Sequence, residues 1–590
     1  MTRTRLNLRT VFKRAPNPDV PPPSHHVALE GHVRNAIETG RTRLVIAAAL
    51  FAVAFGAVGV RLADVTVMNQ GAEPRLADAA RATIIQTSRS EIIDRNGLLL
   101  ATSLHTPSLY ADPKAVLDPV EAAQKLATVL PGISEQEIVA KLATERRFVW
   151  IRRNLSPRQQ FDINRLGIPG FYFQREEKRV YPQSGAAAHV VGYTDVDGRG
   201  IAGIEQSFDE VLRSGGQPVQ LSLDLRLQHI VRESLMESMT EFNAIGAAGV
   251  VLDARNGEVL AMVSLPDFDP NQTRTLDPDA QFNRATLGVY EMGSTFKVFN
   301  HAMALDSGKV RLNGGFDASH PIRIARFTIS DYHGKNRWLS VPEIFEHSSN
   351  IGSAKMAMEV GVTGQHDFMK KIGMLSRLPI EIPEAGVPLA PSPWREINLM
   401  TISFGHGLSV SPMHLVSGVS AMVNGGILRP VTLLKREAGA TPAGVRVISE
   451  RTSDQMRRLL RIVVENGTGR NASAEGYLVG GKTGTAEKLS GRGYNRKARI
   501  SSFVGAFPIN DPKYIVLAMI DEPVGNKRTF GYATGGWVAA PVVKNIVRRM
   551  APMYGISPVD ENAPEIRRDL VLDIAPRDPT KNGGKHLASY

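Results

Sequence analysis

Between Arg43 and Arg61 the chain runs for 17 residues, Leu44 to Val60, with no charged or polar side chain (LVIAAALFAVAFGAVGV). A helix of that length rises about 25 Å, at the lower limit for crossing a bilayer core of about 30 Å. No other feature constrains the chain as strongly, because a spanning segment puts its two flanks on opposite sides of a membrane. The competing readings are a cleaved signal segment and a buried core helix. No convincing small-residue cleavage site lies downstream, which favours a retained anchor. Ahead of the segment, Arg3, Arg5, Arg9, Lys13, Arg14, Arg34, Arg41 and Arg43 face only Asp19, Glu30 and Glu38. Positive charge of that kind holds a flank on the cytoplasmic side. The expectation is a single-pass protein of the inner membrane, its N-terminus cytoplasmic and the rest periplasmic.

The segment sets the domain plan. Residues 1–43, with the proline-rich stretch Pro16 to His26, lack apolar periodicity and are expected to be a disordered tail. The transmembrane helix is placed at 44–62. Residues 63–220 mix β-like runs, Glu91 to Ile93 and Arg147 to Ile151, with a helical stretch from Pro119 to Val129, and read as an α+β module. Asp94-Arg95-Asn96-Gly97 is a tight turn. From 221 to 555 a larger domain is expected. It opens with a strand at Leu221 to Asp224 and a helix from Leu225 to Phe242. A hairpin comes next, Gly249 to Asp253 and Glu258 to Val263, and the domain ends with strands Ser502 to Phe507 and Tyr514 to Ile520 and a closing helix Ala540 to Met550. Strands at both ends and helices between predict one sheet whose terminal strands meet. Residues 556–590 are expected to be a tail.

Among 590 residues there is no cysteine, which removes disulfides, thiolate metal sites and cysteine nucleophiles together. No zinc-ligand spacing is present either, so neither metal nor cofactor is expected, and covalent chemistry must use Ser, Thr or Lys. The net charge of +12 reads as topology and solvated surface, not nucleic-acid binding.

Three short motifs carry chemistry. Gly293-Ser294-Thr295-Phe296-Lys297 opens a helical pattern, Phe296, Val298, Phe299, Ala302, Met303. The i,i+3 spacing places the Lys297 amine beside the Ser294 hydroxyl at a helix N-terminus, where the dipole favours developing negative charge. Read alone, this pattern is weak and more often a surface serine with a solvated lysine on an ordinary helix. Ser348-Ser349-Asn350 is, by itself, a helix cap or turn. Lys482-Thr483-Gly484-Thr485 is a hairpin or phosphate loop on its own, although it lacks Walker A glycine spacing. On a strand, Lys482 and Gly484 share a face, with the glycine expected to leave room for a substrate backbone and the lysine to meet a carboxylate.

In that order, S-x-x-K, S-x-N and K-T-G form the signature of penicillin-binding proteins and serine β-lactamases. The chain resembles a class B penicillin-binding protein from the anchor to about residue 550. Upstream, Arg89 to Gly97 is similar to the family's R-G-x-I-x-D-R-N-G element, with Ser90 in place of glycine. Arg179-Val180-Tyr181-Pro182, His189 to Tyr193 and Gly203-Ile204-Glu205 are similar to further pedestal elements. Met292 stands where relatives often carry proline, and Gly405-His406-Gly407 where they carry G-Q-G.

The resemblance implies an α+β fold: a transpeptidase domain with an antiparallel sheet and helical subdomain on an elongated pedestal. It implies that Ser294 is acylated by the penultimate D-alanine carbonyl of a stem pentapeptide, with Lys297 as base and Ser348 as proton relay. Asn350 is then expected to hold substrate amides, Lys482, Thr483 and Thr485 to grip the terminal carboxylate beside Gly484, and the N–H groups of Ser294 and Thr485 to form the oxyanion hole. Implied ligands are D-Ala-D-Ala stem peptides and β-lactams; implied partners are a membrane-embedded glycan polymerase and divisome activators. The length and compact pedestal favour a septal enzyme over an elongation enzyme. A carboxypeptidase or β-lactamase-type hydrolase and a divisome scaffold with a vestigial site are the alternatives.

Overall fold

The computed structural model describes residues 30–63, 88–273, 276–324, 327–490 and 493–572. The N-terminal tail before residue 30 and the chain from 573 onward lie outside the described residues. Helix α1 spans Glu30–Ala63. It starts within the segment expected to be disordered, because residues 30 to 43 lie beyond the proline cluster and carry mostly helix-compatible side chains. Its stretch Gly40–Leu62 is 23 residues long and apolar enough to cross a membrane.

The described residues from 88 to 572 form a separate compact unit. It opens with β1 (Ile92–Ile93) and the long β2 (Leu99–Ala111). Helices α2 (Pro119–Val129) and α3 (Glu135–Leu142), strand β3 (Val149–Arg152), helix α4 (Pro157–Leu166) and strand β4 (Phe171–Val180) come after them. β4 runs antiparallel to β2 from Thr102↔Val180 to Ala111↔Phe171, and β3 pairs with the other edge of β2. Each helix starts where the sequence supplies a cap: Asp118, Ser134 and Ser156 accept backbone N–H groups. Leu109, Ala111, Ile151 and the inward helix faces bury one side of this sheet.

The pedestal elements noted in the sequence converge. Glu205, fully buried, accepts from Arg89 Nε at 2.7 Å and from Arg179 Nε at 2.7 Å. Arg89 also donates to Asp209 at 2.7 Å. The Asp94 turn joins the two modules, since its carboxylate accepts the Leu225 N–H at 3.1 Å, and β1 pairs in parallel with β5 (Val219–Gln220). The strand expected at Leu221 to Asp224 does not form: Leu221 makes a single bridge to Leu434, and Asp224 turns away to cap the next helix.

That helix, α5 (Leu225–Glu241), leads into the hairpin β6 (Gly246–Asp253) and β7 (Val259–Leu265). The segment that carries Ser294 continues as α6 (Lys297–Asp306), with α7 (Val341–Glu346), α8 (Asn350–Val360), α9 (Pro412–Val423) and α10 (Glu450–Glu465) further along. Strands β8 (Gly480–Ser490), β9 (Gly493–Phe507) and β10 (Tyr514–Asp521) and helix α11 (Gly535–Met553) complete it. The sheet order is β8-β9-β10-β6-β7, so the first and last strands of the domain do meet, at β6 and β10. Every residue of β6, β7 and β10 is buried, which is why those runs are apolar on both faces. Ala247 and Val251 face a core with α5 and α11, whereas Ala248, Val250 and Leu252 face the core that holds Phe296 and Phe299. Past residue 555 the chain stays on the domain: Glu561 pairs with Arg461 at 2.5 Å, and Leu570 is buried at the end of a short helix.

Candidate active site

Ser294 sits in a 3-10 turn, Gly293–Phe296, that feeds α6. The turn is pinned from below. Gly293 N–H donates to Gly405 O at 3.2 Å, and a Cβ on Gly405, whose φ is +87°, would overlap the Gly293 carbonyl. Phe296 and Phe299 lock the helix into the core. One turn along, Lys297 is fully buried, and its Nζ lies 2.9 Å from Ser294 Oγ.

The second motif straddles a helix break. α7 ends before Ser348, which is held at φ +58°, an unusual value for a residue with a side chain. This kink turns both Ser348 oxygens toward Lys297, with Nζ 2.7 Å from the carbonyl and 3.1 Å from Oγ. Ser349 caps α8, and Asn350, its first residue, accepts from Lys297 Nζ through Oδ1 at 2.7 Å. The third motif lies on β8. Lys482 is buried, donates to Ser348 Oγ at 3.0 Å and lies 5.9 Å from the centre of the Phe345 ring. Thr483 Oγ1 is 2.7 Å from Thr468 Oγ1, and Thr485 Oγ1 accepts from Gly535 N–H at 3.1 Å.

Ser294, Lys297, Ser348, Asn350 and Lys482 are therefore joined in one hydrogen-bonded chain. Thr483 and Thr485 sit on the same strand as Lys482, with their hydroxyls turned to Thr468 and Gly535 instead of that chain. Gly484 also has a packing role. A Cβ there would crowd Met292 O and Thr295 Cγ2, so the glycine lets the strand pack against the nucleophile turn.

Burial, and after it the neighbouring Lys482 cation, holds Lys297 well below the ordinary ammonium range. Burial likewise pushes Lys482 down. The arrangement thus favours an uncharged amine next to the serine, which is what removing the hydroxyl proton requires.

Sequence reasoning missed Asp331. One of its carboxylate oxygens accepts the N–H groups of Asn350 at 2.6 Å and Ile351 at 3.0 Å, and the other accepts the Ser349 hydroxyl at 2.7 Å. Ser330 O takes the Asn350 amide N–H at 3.0 Å, which orients Oδ1 toward Lys297. Asp331 also opposes the depression of Lys297. Glu291 was missed too: its Oε1 accepts from Gly407 N–H at 2.7 Å and Tyr494 Oη at 3.1 Å, tying the Gly405 loop to the β8–β9 hairpin. His406, on that loop, is kept neutral chiefly by burial, its pKa lowered to about 4. Among the described residues no group of acidic or histidine side chains is arranged to hold a metal ion.

A serine on a helix-leading turn, a buried lysine beside it, a second serine between two lysines and a β-strand edge define an active-serine acyl transferase of the penicillin-binding type. The profile of the penicillin-binding protein transpeptidase domain matches residues 247–548, and that of the penicillin-binding protein dimerisation domain residues 84–224. The probable peptidoglycan D,D-transpeptidase FtsI of Caulobacter vibrioides is 39% identical over 485 residues, 80% of this chain and 82% of that protein. The probable peptidoglycan D,D-transpeptidase PenA of Neisseria meningitidis serogroup A is 34% identical over 511 residues, 81% of this chain and 86% of that protein. Penicillin-binding protein 3 of Mycobacterium tuberculosis, solved with ampicillin, superposes with a TM-score of 0.66 at 25% identity, covering 83% of this chain and 99% of that one. The chain belongs to the class B penicillin-binding proteins and is a peptidoglycan D,D-transpeptidase of the serine type.

Proposed function

We propose that this transpeptidase cross-links stem peptides during septal wall synthesis, with Ser294 as the acylated residue. The observation that carries the assignment is the position of Lys297 Nζ, 2.9 Å from Ser294 Oγ and 3.1 Å from Ser348 Oγ. Neutral Lys297 takes the Ser294 proton as Oγ attacks the penultimate D-alanine carbonyl. The oxyanion is held by the N–H groups of Ser294 and Thr485. Ser348, bridged to both lysines, passes a proton to the departing D-alanine nitrogen as the C–N bond breaks, leaving an ester on Ser294. An acceptor amine then attacks that ester, and its proton returns to the serine through Lys297. Lys482, Thr483 and Thr485, beside Gly484, receive the donor carboxylate, and Asn350 orients the donor amides. β-Lactams acylate Ser294 by the same route, and slow loss of that ester separates the enzyme from a hydrolase.

The topology belongs to this reading: Gly40–Leu62 anchors the chain in the inner membrane, the arginine-rich flank stays cytoplasmic, and both the pedestal (63–220) and the catalytic domain (221–555) are periplasmic. The septal assignment is supported by the resemblance to the Caulobacter protein and by the compact pedestal; a glycan polymerase and divisome activators are the expected partners. Labelled penicillin with intact-mass and peptide mapping tests the chemistry. A lasting adduct on Ser294, absent from Ser294→Ala, is expected, and a folded wild-type protein that takes no label overturns it. Depletion in cells tests the septal role: filaments are expected, whereas rounded cells point to elongation.

A further inference from the structure

Among the described residues, the pedestal sheet is covered on one side only. Leu109 and Ala111 of β2, Ile151 of β3 and Phe171 and Phe173 of β4 pack under α2, α3 and α4. Tyr110, Trp150 and Tyr172, paired across the three strands, share the opposite face. Phe148, just before β3, joins them. The rings are contiguous: Tyr110 stacks on Phe148 at 4.6 Å and on Tyr172 at 5.5 Å, and Trp150 meets Phe148 edge-on at 4.9 Å. Phe148 and Tyr172 are 44% and 48% exposed, so the cluster faces solvent and is no part of a core.

Four touching aromatic rings on an open sheet face are uncommon on a soluble surface and mark a binding area. The charge around them is basic. The Arg153 guanidinium lies 5.3 Å from the Trp150 ring centre, tied to Glu176 and Asp197. Arg146 and Arg147, exposed immediately ahead of Phe148, make no ion pair among the described residues. Flat rings accept the apolar faces of other rings, as sheet platforms do for oligosaccharides. Unpaired guanidinium groups favour carboxylates.

We propose that this face is a docking platform for the polymer itself: a glycan strand whose sugars lie on Tyr110, Phe148, Trp150 and Tyr172 and whose stem-peptide carboxylates meet Arg146 and Arg147. The proposal rests on the transpeptidase assignment for the identity of the polymer. It adds a second contact, outside the acyl-transfer site, for a strand being cross-linked. A protein ligand, whose interfaces are also rich in aromatic and arginine side chains, is the competing occupant; the exposed Arg146 and Arg147, which make no ion pair among the described residues, favour the carboxylate-bearing polymer.

The test uses the full-length chain in detergent with Ser294 already acylated by penicillin, so that strand capture at the active site does not contribute. Co-sedimentation is measured with purified sacculi and with peptide-free glycan prepared from them. Trp150→Ala with Tyr172→Ala is expected to weaken both by about tenfold, the effect of losing stacked rings. Arg146→Glu with Arg147→Glu is expected to weaken binding to peptide-bearing sacculi alone, and in a salt-dependent way. Trp150→Leu keeps the packing but loses the aromatic face, and serves if the double alanine variant does not fold. Penicillin acylation rates are followed in each variant and are expected to stay within about twofold, since no platform residue lies in the acyl-transfer chain. Unchanged sacculus binding in folded aromatic variants overturns the proposal. So does loss, in those variants, of a co-purifying protein in place of glycan. Failure of the wild type to be acylated sinks the transpeptidase reading instead.

Discussion

Replacing Lys482 with methionine removes one of two ammonium groups that share the Ser348 hydroxyl. Lys297 Nζ and Lys482 Nζ lie 3.1 Å and 3.0 Å from that oxygen, which bounds their separation at about 6 Å. Two unit charges about 6 Å apart repel by about 2.8 kcal/mol at an effective dielectric constant of about 20, so wherever Lys482 is charged its removal raises the proton affinity of Lys297. Methionine keeps the volume and apolar stem over Phe345, so Lys297 stays buried and still below the ordinary range, but less so. A higher Lys297 pKa leaves less neutral amine at any given pH, so the acid limb of Ser294 acylation moves to higher pH. Loss of the contact proposed between Lys482 and the ligand carboxylate is expected to lower the plateau separately, by about ten- to a hundredfold for a charged hydrogen bond. The assay is the second-order rate of acylation by a labelled penicillin from about pH 5 to about pH 10. An acid limb that stays in place or moves to lower pH, with a measurable plateau, refutes both Lys297 as the base and the repulsion that keeps it neutral.

Asp331→Asn works in the opposite direction: without the carboxylate that holds Lys297 up, the acid limb is expected at lower pH, and the weakened cap of α8 costs about 1 kcal/mol, visible as a small drop in melting temperature. Gly405→Ala places a methyl group against the Gly293 carbonyl, and we expect slower acylation of Ser294 with KM little changed, read by labelled-penicillin kinetics; unaltered rates show the turn tolerates displacement. Glu205→Gln leaves Arg89 and Arg179 without their buried counter-charge and is expected to destabilise the pedestal by about 3 kcal/mol in denaturant unfolding, with acylation at permissive temperature retained.

Much of the site was legible before the fold. Ser294 and Lys297 are neighbours by helical spacing alone, and α2 and the β6–β7 hairpin arise from local pattern and turn residues. Asp331 was not legible, because its task is to cap a helix that begins 19 residues away, and nothing in a lone aspartate signals a cap at that distance. The packing role of Gly484 was not legible for a related reason: its neighbours, Met292 and Thr295, come from a turn nearly two hundred residues earlier in the chain.

Local sequence was enough to establish the apolar span, the absence of cysteine and the order of the three motifs that hold the candidate residues, because periodicity, composition and i,i+3 contact depend only on near neighbours along the chain. Folding was needed to bring Lys482 to Ser348 across 134 residues, to draw Arg89 and Arg179 together on Glu205, and to bury Lys297 deeply enough to lower its proton affinity. Proton affinity is set by the field and solvent exclusion of everything within a few ångströms, and the folded chain alone fixes what those neighbours are.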